Sequence, residues 1–470
     1  MAVPKAYMPL DVIVVGAGMF SDNASICGQA MQRSRLTFLY RNWRHGRSPD
    51  AGLAWTSSHS ARGRAEGMPF SSPYLKTNAD NMKLMEVGAG IQVSPNMLRL
   101  FDRWGVSDLI HAQDVALEHI HVRRWQDGRL LGTMPVNKTF GQQVVIHRAD
   151  LHNALIEKAL ALDNVKLREN CFVSSVEFSP ASVTLADGTV VRGDIVIGAD
   201  GIKSTLRGHL LEDPNINAIA TGDAAYRIML PRSIMEKDPE LKKLIDEPQA
   251  TRWLGPARHI IAYPVRSHEL YNVVLLHPDR QEVEESWTMK GSKQEMIDHY
   301  AGWDPVVRKL IDLVVEDEVL EWKLCLHRPL RTWIRGSVAL IGDACHPMLP
   351  YVAQGAAQAV EDAAALGVLL SNITSRHEIP SALEVYEKTR KHRAETVQQS
   401  GTENRVALHL IDGPAQLARD EQFLASASGS NPDKWNDRET QNFLWGWDAE
   451  KVALDAWNEL VKGEKMSASL

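Results

Sequence analysis

Three stretches of this chain have residue types and spacings suited to gripping a nucleotide. The first is Gly16-Ala17-Gly18, which closes the run Asp11, Val12, Ile13, Val14, Val15. A pyrophosphate needs backbone N–H donors at a helix amino end, and glycine lets phosphates approach without a Cβ clash. Gly16 and Gly18 supply the first two glycines of that pattern, while Ser21 holds the third place. The position about 20 residues later, where an acid normally holds a ribose, falls among Leu39, Tyr40, Arg41 and Asn42. The second stretch has Asp200-Gly201, then Ser204, then Arg207. The third places Gly342-Asp343 at the end of an apolar run, with Gln354-Gly355-Ala356 opening an alanine-rich stretch. A short carboxylate at a strand end can accept from ribose-type hydroxyls, and a helix start presents amides and a positive dipole end to an anion.

The elements that carry these residues are legible in outline. Residues 11–15 and Val338–Ile341 read as buried strands, and a helix should follow the first. Gly355 to Leu370 predicts a helix preceded by Pro347 and Pro350. Asp150 to Leu162 is amphipathic, with Leu151, Leu155, Ile156 and Leu160 on one face and Asp150 placed to cap it. Asp127-Gly128 between His119–Val122 and Leu130–Val136, and Asp187-Gly188 among Val173–Phe178, Val183–Ala186 and Thr189–Val191, mark two antiparallel hairpins. Residues 219–325 alternate at His259–Val265 and Leu270–His277, and a charged helical segment is expected from Gln281 to Leu320. After Ser400 the chain is polar, broken at Gly429 and Pro432, and carries Trp435, Trp445, Trp447 and Trp457, which argue for a docked tail.

Composition narrows the partners. The 470 residues are 44% hydrophobic and 24% charged, ordinary globular proportions for a chain of at least two domains. With 59 acids against 52 bases the formal charge is −7, so no global field draws the chain to nucleic acid or anionic lipid. Cys27, Cys171, Cys325 and Cys345 lie too far apart for a zinc knuckle and are too few for a disulfide scaffold, so no metal site and a reduced, cytoplasmic setting are expected. The longest apolar run, Val12 to Phe20, falls short of the roughly 20 residues a membrane span needs.

Together the three nucleotide stretches resemble the motifs of the single-component, FAD-dependent aromatic monooxygenases, the class of para-hydroxybenzoate and salicylate hydroxylases. Glu86 to Asn96, with Gly88, Ala89, Gly90, Ser94 and Pro95, and His147-Arg148-Ala149-Asp150-Leu151 resemble the salicylate-hydroxylase-like, largely fungal branch. The resemblance runs from about Glu86 onward and includes the first strand. It implies an α/β fold: a glutathione-reductase-type FAD domain drawn from residues 1–118, 146–218 and 326–400, a mixed β-sheet substrate domain from 119–145 and 219–325, and a helical tail at 401–470. It further implies that NAD(P)H delivers hydride to FAD, that O2 then gives a flavin C4a-hydroperoxide, and that a phenolic small molecule attacks it, in secondary (polyketide) or aromatic metabolism. Gly16, Gly18, Ala89, Gly90, Arg148, Asp343, Gly355 and Ala356 would hold FAD. Arg207 would serve cofactor and nicotinamide phosphates. Arg227 would stabilise the phenolate, with Tyr263 as its hydrogen-bonding partner. Blander roles stay open for each: a turn cap for Asp343, a steric glycine at 355, a surface Arg148, a plain turn at Ala89 and Gly90, a salt-bridged Arg207, a structural ion pair at Arg227 and a satisfied core phenol at Tyr263. His346, between Cys345 and Pro347, reads as a structural donor.

The interval from Gly18 to Gly88 departs from that pattern. It has no third glycine, no alanine-rich first helix and no ribose-binding acid, and residues 41–75 are irregular, with five arginines and four serines between Arg41 and Arg64. A non-catalytic, FAD-deficient relative is therefore the rival reading.

Overall fold

The computed structural model describes residues 9–16, 35–40, 89–279, 289–425 and 431–468. Two large sheets organise them. In the first, six strands run in the order Ile334–Arg335, Val338–Leu340, Ile195–Gly198, Asp11–Val15, Arg35–Tyr40, Val165–Glu169. The inner neighbours are all parallel, with Val15 beside Gly198 and beside Leu39, and only Ile334–Arg335 is antiparallel. Near-continuous aliphatic runs make the three central strands, Val338–Leu340, Ile195–Gly198 and Asp11–Val15, because the middle of a parallel sheet is covered on both faces. The Gly355–Asn372 helix packs in their core through Ala356, Ala357, Val360, Ala363 and Ala364, small residues that allow close approach. Ala449, Ala453 and Trp457 of the final helix, Ala449–Ala468, complete the same cluster.

The second sheet has eight strands, ordered Met289–Ser292, Glu318–Leu326, Ile219–Pro231, Leu270–Pro278, Arg258–Val265, Gln249–Gly255, His119–Arg124, Leu130–Pro135. One face, with Tyr226, Ile228, Ile260, Tyr271 and Val273, is covered by the short helices Pro239–Asp246, Lys293–His299 and Pro305–Asp312. The other face, with Ala225, Leu254, Leu276 and Leu324, packs against Leu349, Tyr351, Leu408 and Phe423. The Asp127-Gly128 hairpin joins this sheet, whereas Val173–Phe178, Ala181–Leu185 and Val190–Arg192 form a separate three-stranded sheet around Asp187-Gly188.

The charged segment from Gln281 to Leu320 is not one helical stretch. Its described part contains two short helices framed by strands Met289–Ser292 and Glu318–Leu326, which pair with each other. Alternation in Glu318–Leu326 wins over helical propensity because that strand also pairs with Ile219–Pro231. The helix Ile379–Leu408 runs unbroken through Ser400. Among the described residues, no helix is long and apolar enough to cross a membrane.

Candidate active site

The nucleotide stretches lie at the carboxyl ends of adjacent parallel strands, where doubly wound sheets bind ligands. Gly16 donates its N–H to Leu39 O at 3.2 Å and so ties the first strand to Arg35–Tyr40, whose last residue, Tyr40, stands where the nucleotide pattern has a ribose-binding acid. Gly18 and residues 41–75 lie outside the described residues. Next in the sheet, Asp200 accepts from Ser204 Oγ at 2.6 Å and Leu206 N at 3.1 Å, opening the helix Thr205–Leu211. Arg207 is buried and donates to the carbonyls of Ala344 at 3.1 Å and Ile202 at 2.7 Å. It fastens the Asp200 loop to the Asp343 loop.

Gly342 adopts φ +58, a conformation that favours glycine, and donates to Asp362 Oδ2 at 3.0 Å. That turn brings Asp343 to the strand end. Its carboxylate makes no hydrogen bond among the described residues, and burial raises its pKa against the opposing pull of His346 and Arg148. His346 Nε2 meets Asp362 Oδ2 at 2.6 Å, and Asp362 Oδ1 also takes Arg390 Nε at 2.9 Å. Cys345, His346 and Asp362 offer ligand atoms within 4.8 Å of one another. A thiol held protonated by burial, next to a carboxylate already paired with arginine, makes poor metal-ligand chemistry.

Ala89, Gly90 and Arg148 are neighbours. Ala89 O accepts from Arg148 N at 3.0 Å, and Gly90 pairs with His147, whose Nδ1 caps the Arg148–Leu160 helix. Gly90 also touches the second sheet: its N–H donates to Asn272 Oδ1 at 2.8 Å, and a Cβ there would lie 2.5 Å from Tyr263 Cε2. Tyr263 and Asn272 are themselves cross-strand partners.

On that sheet face, register places Arg227 beside Val274 and Ile261, one alternate row from Met229, Asn272 and Tyr263. The Arg227 guanidinium lies 4.5 Å from the Trp322 ring centroid, and its buried Nε has no hydrogen-bond partner among the described residues. Burial, with the like charge of Arg148, lowers its pKa to about 10, while Tyr263 pulls the other way. Burial raises the Tyr263 phenol well above its ordinary range. Leu349 and Tyr351 pack on Ala225, Leu276 and Leu324, and Ala353 packs near Tyr263, so the loop entering the Gly355 helix stands over this face. No side chain caps that helix, and a Cβ on Gly355 would meet only Met348 Cγ at 3.6 Å. Beside Ala356, the amino end is thus open.

These features suit a flavin dinucleotide: unspent amides, an unpartnered carboxylate near a glycine turn and a cation lacking a partner at Nε. The chain matches the family described as an FAD binding domain over residues 83–400. It is 42% identical over 372 residues to FAD-dependent monooxygenase atnJ of Arthrinium sp, covering 79% of this chain and 87% of that protein. The chain belongs to the FAD-dependent monooxygenases. A 6-hydroxynicotinate 3-monooxygenase of Pseudomonas fluorescens is 36% identical over 329 residues, 68% of this chain and 81% of that one. Solved structures share the fold: a salicylate hydroxylase substrate complex (TM-score 0.72, 22% identity, 95% and 98% of the chains) and CtdE with FAD and a substrate (TM-score 0.75, 18% identity, 97% and 100%). In this monooxygenase Trp322 and Asn272 escape sequence reasoning. Trp322 lies beyond a segment read as helical, and Asn272 has no local signal, since its partner Gly90 is 182 residues away.

Proposed function

We propose that this monooxygenase hydroxylates a phenolic small molecule, using FAD, NAD(P)H and O2, in fungal-type secondary or aromatic metabolism. The observation that carries the reading is Arg227, a half-buried cation with a buried, unspent Nε on the sheet face covered by the loop that enters the Gly355 helix. Its fungal relatives and the aromatic-acid hydroxylases among its kin support the same class.

With a pKa near 10, Arg227 stays charged at neutral pH although burial opposes the charge. A phenolate relieves that opposition, so the pocket favours the ionised substrate and raises electron density at its ortho and para carbons. Tyr263, kept protonated, donates a hydrogen bond to the same oxygen. Asp343 would hold a ribose-type hydroxyl, the residues around Ala89, Gly90 and Arg148 would flank the cofactor, and the Gly355 and Ala356 amides would face the ring edge that gains charge. When bound, FAD supplies hydride acceptance from NAD(P)H and the activated oxygen that enters the ring.

Incubating the purified protein with resorcinols and salicylates, while following NAD(P)H consumption and product mass, tests this. Phenol-stimulated NAD(P)H loss with gain of one oxygen is expected. Failure to take up FAD on reconstitution would favour the non-catalytic alternative, and flavin without phenol-dependent turnover would exclude this substrate class.

A further inference from the structure

Behind the open helix end lies a continuous chain of buried polar side chains. Gln354, the residue before Gly355, accepts from Asn96 Nδ2 at 3.1 Å and donates to Ser94 Oγ at 3.1 Å. Ser94 Oγ donates to Asn96 Oδ1 at 2.7 Å, and Asn96 Nδ2 also donates to Glu361 Oε1 at 2.7 Å. Glu361 takes Arg390 Nη1 at 2.6 Å and Arg393 through Nε at 2.7 Å and Nη2 at 2.8 Å. Burial alone would raise the Glu361 pKa, but the two arginines hold it below its ordinary value.

The chain does not stop there. Arg393 donates from Nη1 to Phe443 O at 2.9 Å and from Nη2 to Leu444 O at 2.8 Å, at the carboxyl end of the helix Arg438–Trp445. Its guanidinium lies 4.7 Å from the Trp447 ring centroid. Arg99, one turn after Asn96 on the helix Pro95–Arg103, donates to Trp445 O at 2.6 Å and Trp447 O at 3.0 Å. Orphan carbonyls at a helix end attract cations, and here two arginines from different helices fix the same turn of the tail.

We propose that Asn96 is a positioning residue for the flavin and that residues 438–447 belong to the cofactor seat, acting through Arg393, Glu361, Asn96 and Gln354. The proposal rests on reading the Gly355 helix end as that seat. Asn96 Nδ2 is shared between Gln354 Oε1 and Glu361 Oε1, so it sets the residue that precedes the donor amides against the helix's own second turn. Removing it leaves Gln354 Oε1 only the longer 3.4 Å bond from Gln358 Nε2, beside the bond to Ser94, and leaves Glu361 short of a neutral donor.

The test uses the full chain with Asn96→Ala, Asn96→Ser and Arg393→Lys. Hydrogen exchange of amides 358–361, the first bonded ones of the helix, should quicken about tenfold in flavin-free Asn96→Ala, while amides 366–370 stay within about twofold of wild type. FAD dissociation constants, by flavin fluorescence titration, should rise about tenfold. The flavin midpoint potential should move negative, because misaligned amides stabilise the reduced ring less. Asn96→Ser, which keeps one donor, should recover most of each loss, and serves if the alanine variant does not fold. Arg393→Lys should show the same pattern more weakly, since an ammonium pairs with Glu361 without reaching both carbonyls. Unchanged exchange at 358–361, or loosening spread evenly along the helix, would overturn the proposal. If the wild type takes up no FAD, the flavin reading falls separately, and exchange in the flavin-free chain still decides whether Asn96 positions the helix start.

Discussion

A guanidinium laid on an indole face with one N–H unspent is costly to keep unless a ligand completes it. Arg227→Ala should therefore lower turnover of a phenolic substrate about a hundredfold or more while flavin content, read from visible absorbance, changes little. Equal losses in both would make Arg227 a structural residue. Arg227→Lys should recover little, because an ammonium keeps the charge and loses the flat contact with Trp322. Gly90 gives a second prediction. An alanine Cβ would sit 2.5 Å from Tyr263 Cε2 and 2.8 Å from Asn272 Cγ, so Gly90→Ala should cost roughly 1–3 kcal/mol in urea unfolding. An unchanged midpoint would show that the strand shifts freely. Arg227 and Tyr263 could be singled out because strand motifs resembling a family carry them. Asn272 and Trp322 could not, since what makes them matter is a neighbour far along the chain.

The Gly355–Asn372 helix was legible from its alanine run, and what holds it in place was not. Glu361 and Asp362 sit on its second turn, buried against Arg390 and Arg393 contributed by the next long helix. Nothing in a stretch reading Val-Glu-Asp announces a buried ion cluster, because helical spacing shows which face is apolar and not which charges a distant helix will meet. Glu361→Gln should leave two arginines under-neutralised and cost on the order of 3–5 kcal/mol, measured by chemical denaturation. A loss under about 1 kcal/mol would mean that water replaces the carboxylate. Strands beside Asp-Gly turns were also readable, since the turn chemistry is local. Arg35–Tyr40 was missed. It is buried by parallel partners 24 and 129 residues away in register, Asp11 with Arg35 and Leu36 with Val165, and no turn signal marks it.

Three buried histidines lie where separate parts of the molecule meet. His259 Nδ1 faces His409 Nε2 at 2.8 Å, joining the second sheet to the end of the Ile379–Leu408 helix, and His327 Nε2 donates to Ile202 O at 3.2 Å. Burial lowers the pKa of His327 and of His409 to about 4 and that of His259 well below its ordinary 6.5. The unfolded chain therefore binds more protons between pH 6.5 and about 4, so stability is full above that window and lost as pH falls through it. Thermal midpoints should drop steeply from pH 6.5 downward, and His327→Gln should flatten the drop. A midpoint independent of pH between 7 and 5 would contradict the assignment of neutral junction histidines. Fold class followed from the sequence because buried parallel strands and glycine turns are local marks, whereas the seams between sheets are written in pairs of residues remote from one another. Trp457 is buried in the core cluster of the half whose first strand begins at Asp11. During synthesis on the ribosome that half cannot complete its core until Trp457 has emerged, while every described strand of the eight-stranded sheet is already made by Leu326. A nonsense codon late in the message would thus strip the flavin half of its keystone and leave the other sheet's strands intact.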